Sequence, residues 1–108
     1  MTLQQLKYAI TVAQTGTITE AAEKLYISQP SLTNAIHELE KEMNIEIFTR
    51  TNKGIIVSKD GEDFLGYARQ VLEQAEVLED NIKVAVVERR NSVFQRSIIH
   101  SRLMHLLI

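Results

Sequence analysis

The chain has 108 residues, enough for one domain of ordinary size with an appendage but not for two full domains. With 44% hydrophobic and 24% charged residues it is too apolar to stay disordered, and its composition is that of a soluble globular protein. Twelve Lys and Arg against 14 Asp and Glu give a formal net charge of −2, which excludes a strong, indiscriminate grip on nucleic acid and, taken alone, disfavours DNA as a partner.

One proline (Pro30) and four glycines (Gly16, Gly54, Gly61 and Gly66) are sparse punctuation, as expected of helices joined by short turns. Leu3, Leu6, Ile10 and Ala13 fall on one face of a helix over residues 3–15. Thr2 and Gln5 have the capping-box spacing, and Gly16 suits the left-handed position that ends the helix. A short second helix follows, with Thr17 as its cap and Glu20 placed to reach back. Its inner face is Ile18, Ala21, Ala22 and Leu25, and it ends near residues 24–26.

The turn Tyr26-Ile27-Ser28 leads to a third helix. Ser28 is a good N-cap, and Pro30 falls in the first turn, where its missing N–H costs nothing. Leu32, Ile36, Leu39 and Met43 form its inner face, and Asn44 is a plausible left-handed stop. From Ile45 to Val57 the period changes. Ile45, Ile47 and then Ile55, Val57 alternate around Thr51-Asn52-Lys53-Gly54, which predicts a small β-hairpin.

A fourth helix is predicted from about Lys59 to about Glu88, with Ser58 as its cap. Phe64, Ala68, Val71, Ala75, Leu78, Ile82 and Ala85 form an unbroken heptad seam along it. A helix of that length extends about 45 Å, longer than so small a domain is wide. Either the seam pairs with another chain, because the first three helices are too short to cover it, or it is an intramolecular core stripe. From Arg89 onward the composition shifts to a tail with four arginines and no acid. The sequence allows a helical extension over residues 93–108, but the apolar residues of the tail form no single stripe, so no membrane-surface role is expected.

Two short helices with a tight turn and then a hairpin make a helix-turn-helix with a wing. In that arrangement the outward residues of the third helix, Gln29, Thr33, Asn34 and His37, with Ser31 on the flank, suit a DNA major groove. Gln and Asn bond adenine edges, the Thr methyl meets a thymine methyl, and Ser28 and Ser31 suit phosphate oxygens. Against this stands a plain solvated face with a capping serine. Residues 47–59 carry Arg50, Lys53 and Lys59 and no acid, as a phosphate-gripping wing requires. Glu38, Glu40 and Glu42 belong to the later turns of the third helix, clear of such a groove.

These residues resemble a known family. The stretch Ala21-Ala22-x-x-Leu25-x-x-Ser28-Gln29-Pro30-Ser31-Leu32-Thr33-x-x-Ile36-x-x-Leu39-Glu40, then Ile47-Phe48-x-Arg50 and Ser58-x-x-Gly61, is similar to the DNA-binding domain of LysR-type transcriptional regulators. The resemblance covers residues 1 to about 65, and the next 25 resemble the linker helix of the family. It implies a mainly α, winged helix-turn-helix domain over 1–58, a dimerisation helix over 59–88 and a basic tail of unassigned role over 89–108. Gln29, Pro30, Thr33 and Asn34 would face bases; Thr17, Ser28, Ser31, Arg50 and Lys53 would lie near phosphate. The seam from Phe64 to Ala85 would join two copies, antiparallel, on an interrupted palindrome.

Three departures stand out. Met43 and Asn44 replace the usual Leu-Gly, and Asn34 stands where family members often carry a basic residue. The effector-binding domain that normally follows has no counterpart by residue 108, so a small-molecule effector is not expected for this chain. A truncation, a frameshifted gene and a small self-sufficient regulator all fit that ending.

The function expected is sequence-specific, dimeric DNA binding in transcription regulation. The alternative is a truncated dimerisation module that pairs with a full-length relative and modulates it. An enzyme is not expected. The chain has no cysteine, so disulfides, thiolate zinc sites and cysteine nucleophiles are excluded. His37, His100 and His105 have no metal-ligand spacing with carboxylates, and there is no phosphate loop. Neither a metal nor another cofactor is therefore expected. With no apolar run near the roughly 20 residues of a bilayer span and no signal-like N-terminus, the cytoplasm is the default location.

Overall fold

A computed structural model describes the backbone of residues 1–107 and the side chains of residues 1–93. In chain order the elements are helices α1 (Leu3–Thr15), α2 (Ile18–Leu25) and α3 (Gln29–Met43), strands β1 (Phe48–Thr51) and β2 (Gly54–Val57), and helix α4 (Lys59–Leu107). Contacts divide the chain into two compact units, Met1–Glu73 and Gln74–Ile108.

Local signals set the helix ends in the first unit. Thr2 and Gln5 form both bonds of a capping box on α1, which closes on Gly16 in the left-handed conformation. Thr17 accepts the Glu20 amide at 3.2 Å, the outgoing half of the box expected there. Ser28 accepts the Ser31 amide at 3.2 Å to start α3, and Asn44 ends it at φ 54°. Tyr26 makes the α2–α3 turn at φ 57°, a left-handed conformation unusual for an aromatic residue, and its side chain is 94% exposed.

The core is aliphatic. Leu6, Ala9 and Val12 of α1, Ala21 and Ala22 of α2, and Leu32, Ile36 and Leu39 of α3 close on one another and on Ile47 and Phe48. Two residues expected on inner faces lie outside this core. Leu3, at the start of α1, is 50% exposed and Met43, at the end of α3, is 39% exposed, so period alone does not bury a residue of a terminal turn. Ala9 and Val12 are fully buried instead, since α1 is covered on a wider arc by α2, α3 and β2.

The hairpin is antiparallel, with Phe48 opposite Val57 and Arg50 opposite Ile55, and Asn52-Lys53 as its turn. Its first strand starts at Phe48, later than the alternation from Ile45 suggests. The Ile47 amide is taken by the Glu40 carboxylate at 2.7 Å. Two glycines let the hairpin seat closely. A Cβ at Gly54, which has φ 125°, would stand 2.8 Å from the Gly16 carbonyl oxygen, and β2 docks there through an Ile55 N–H bond of 2.9 Å to the same oxygen. A Cβ at Gly61 would stand 2.3 Å from the Ile47 carbonyl oxygen.

Ser58 caps α4 by accepting the Gly61 amide at 2.9 Å, and its own hydroxyl donates to the Glu46 carbonyl. Leu65 and Ala68 are buried in the first unit, with Phe64 and Leu72 half-buried beside them. In the second unit none of the side chains of residues 74–93 is buried, so this stretch of α4 has no core of its own among the described residues. Where the sequence suggests an end near Glu88, the helix continues to Leu107. No Gly or Pro follows Gly66 and Asn91 takes no left-handed turn, so the shift in charge at Arg89 is not a stop signal. The helical extension expected over 93–108 is met in backbone as far as Leu107, while the side chains of 94–108 lie outside the described residues. No helix among the described residues is long and apolar enough to cross a membrane.

Candidate nucleic-acid interface

The start of α3 is a polar, solvent-facing surface held by a rigid cap. Its inner residues Leu32, Ile36 and Leu39 are buried, and that fixes which side turns outward. Gln29, Pro30, Ser31, Asn34 and His37 are exposed and Thr33 is half-buried. The Ser28 hydroxyl accepts the Ser31 amide and donates to the Ser31 hydroxyl at 2.7 Å, so the two serines form one small unit at the helix start. Backbone amides and hydroxyls at such a helix start form a site for phosphate oxygens.

The hairpin brings cations to this surface. Arg50, on β1, donates from Nη2 to the Thr33 Oγ1 at 3.4 Å, which joins the strand to the outer face of α3. Lys53 is exposed at the hairpin turn, where its backbone amide is held by the Thr51 hydroxyl at 3.3 Å. A cleft between hairpin and helices is lined by Thr17, Gln29, Thr33, Arg50, Thr51 and Gly54, among others. It gathers four of the residues singled out in the sequence. Ser28, Pro30, Ser31, Asn34 and Lys53 do not line it; all five are exposed.

Glu40, Glu42 and Glu46 are each engaged elsewhere. Glu40 lines a cleft with Thr33 and Arg50, and one of its carboxylate oxygens accepts the Ile47 amide at 2.7 Å and the Phe48 amide at 3.4 Å. Glu46 accepts from the Thr49 hydroxyl at 3.4 Å, and Glu42 pairs with the N-terminal ammonium at 2.5 Å. That last contact is the only ion pair among the described residues, so Arg50 keeps its charge without a carboxylate partner there.

Glu40 is the residue that pattern reading misses. Charge alone places it with Glu38 and Glu42 in the later turns of α3, clear of a groove, yet it positions the strand that carries Arg50. A signal exists: Leu32, Ile36 and Glu40 step by four, so the carboxylate extends an apolar stripe. A charged group on an inner face needs buried donors, and the two backbone amides supply them.

The seam of α4 divides. In the first unit Phe64 is half-buried and Ala68 is 3% exposed, both packed in the core, while Val71 is 42% exposed. In the second unit Leu78 and Ile82 are 63% and 54% exposed, with Ala75 and Ala85 half-buried on either side of them along the helix.

Comparison with known proteins agrees with this architecture. Residues 3–62 match the family model described as bacterial regulatory helix-turn-helix protein, lysR family. The HTH-type transcriptional regulator ClcR of Pseudomonas putida is 34% identical over 105 residues, covering 94% of this chain and 36% of that protein. The regulator TfdT of Cupriavidus pinatubonensis (strain JMP 134 / LMG 1197) is 42% identical over 72 residues, covering 67% of this chain and 32% of its own. The chain thus spans about a third of the length of these curated relatives. Among solved structures, the CbnR_DBD–DNA complex superposes with a TM-score of 0.76 at 36% identity, covering 80% of this chain and 99% of that one. The BenM_DBD/benA site 1 DNA complex does so with a TM-score of 0.74 at 31% identity, covering 77% and 96%.

Proposed function

The chain belongs to the lysR family of bacterial regulatory helix-turn-helix proteins, and from that premise we propose that it binds operator DNA sequence-specifically, as a dimer, to regulate transcription. The observation that carries this reading is the bond between Arg50 of the hairpin and Thr33 of α3. It places an uncompensated cation against the first turns of a helix, whose outward residues there, Gln29, Ser31, Thr33 and Asn34, are hydrogen-bonding and uncharged.

On a duplex, α3 enters the major groove. Gln29, Pro30, Thr33 and Asn34 face base edges, and Thr17, Ser28, Ser31, Arg50 and Lys53 hold the backbone around them. The charge distribution suits that division. The hairpin region 47–59 has three cations and no acid, so it supplies local attraction while the chain as a whole repels nonspecific contact. The likeness to the CbnR and BenM DNA-binding domains, both solved on DNA, supports the same docking.

Residues 1–58 are the reading head, and the described part of α4 supplies the dimer contact. Because Phe64 and Ala68 already serve the core, self-pairing uses Val71, Ala75, Leu78, Ile82 and Ala85, whose apolar surface is otherwise left to water. Two heads joined through this helix read two half-sites. A cytoplasmic, non-enzymatic role belongs to the same reading.

Selection from a randomised duplex library with the whole chain tests it. Enrichment of paired, inverted half-sites, bound less tightly as salt rises, is the expected result. A pool that stays random after repeated rounds contradicts it.

A further inference from the structure

Arg50 and Thr33 are joined, and the polarity of that bond restricts what Thr33 is able to read. A threonine hydroxyl has one proton and two lone pairs. Here the Arg50 guanidinium donates to Oγ1 at 3.4 Å, so one lone pair is occupied and the proton must turn away from the cation. Thr11 in α1 returns its hydroxyl proton to the Lys7 carbonyl at 2.8 Å; Thr33 makes no such bond among the described residues, and its proton is left for an outside acceptor. Accepting from a cation also polarises the hydroxyl and strengthens it as a donor.

From this we infer that Arg50 is a positioning residue for base recognition, which sets Thr33 as a hydrogen-bond donor and selects against cytosine at the base it faces, with thymine preferred. This rests on the proposed docking of α3 in the major groove. Thymine O4, guanine O6 and the N7 of either purine are acceptors, whereas cytosine presents only its N4 amino donor in the major groove and leaves the Thr33 proton without a partner. Thymine is preferred because its C5 methyl lies beside O4 and meets the methyl of the same Thr33 side chain. Arg50 retains further N–H groups for a phosphate oxygen, so one residue couples the grip on the backbone to the choice of base.

The test uses the duplex enriched by the whole chain, with thymine, uracil or cytosine at the position facing Thr33. That position is the one whose preference Thr33→Val alters in a repeat selection. The quantity read is the ratio of affinities, so a uniform loss cancels. The wild-type chain prefers thymine over cytosine by about tenfold and keeps most of that preference with uracil. Arg50→Ala brings the uracil-to-cytosine ratio close to one, as does Thr33→Val, and the double variant is no worse than either. If Thr33→Val collapses the ratio and Arg50→Ala leaves it intact, the coupling is overturned while the proposed function stands. If Thr33→Val alters no position, Thr33 faces no base and the inference falls with that assignment. A library that never enriches overturns the proposed function itself.

Discussion

The carboxylate of Glu40 accepts the backbone amide of Ile47 at 2.7 Å, and this bond fastens the last turn of α3 to the root of the hairpin. The strand that begins one residue later carries Arg50, so the position of the cation relative to the reading face depends on this carboxylate.

Glu40→Ala leaves two partly buried amides without their acceptor. An expected loss of about 1–3 kcal/mol follows from the desolvation of such groups. Urea unfolding measures the loss, and amide exchange at Ile47 and Phe48 locates it. Glu40→Gln retains a carbonyl acceptor and should lose much less. Equal losses for the two variants would mean that packing, not the hydrogen bond, accounts for the role of Glu40.

Gly61→Ala reverses the usual sign of its kind. Replacing Gly by Ala within a helix ordinarily stabilises by about 0.5–1 kcal/mol. Here the new Cβ would meet the Ile47 carbonyl oxygen at 2.3 Å, and that oxygen belongs to backbone fixed by Glu40 and by the Ser58 amide. Overpacking costs of about 1–3 kcal/mol win, so thermal denaturation should show a lower Tm than wild type. A higher Tm would mean that α4 shifts freely against the hairpin.

Much of this was legible from local chemistry. Thr2, Ser28, Gly16 and Asn44 mark helix ends because a cap and its partner lie within a few residues of each other. Leu3 and Met43 were misplaced for a different reason. Helical period gives the direction of a side chain but not whether a neighbour covers it. The Arg50–Thr33 and Glu40–Ile47 bonds join residues 17 and 7 apart across separate elements; helical period places Glu40 on the inner stripe of α3 but names the partner of neither residue. The full length of α4 is not legible in its charge pattern, because a change of charge sets no boundary, whereas helices end at groups that bend the backbone.

Lys53→Ala should weaken binding to enriched and random duplexes alike. If Lys53 holds one phosphate per protomer, the slope of log affinity against log salt falls by about 0.9 for each contact removed. Titrations at several salt concentrations measure it. A loss confined to one sequence would move Lys53 from the backbone to a base.

Leu78→Asp together with Ile82→Asp places charge in the exposed apolar stripe of α4. Both side chains are more than half exposed within the chain, so the head should keep its fold while the dimer dissociates to monomer in sedimentation. An unchanged dimer would put the contact elsewhere on the molecule.

The most direct measurement is the dissociation constant of the whole chain for its enriched duplex against a shuffled duplex of the same composition, at physiological salt. Recognition by α3 and the hairpin predicts a ratio of about a thousandfold or more, cut sharply by alanine at Gln29 or Asn34. Equal affinity for the two duplexes would contradict sequence-specific binding and leave only the attraction of the basic hairpin for phosphate.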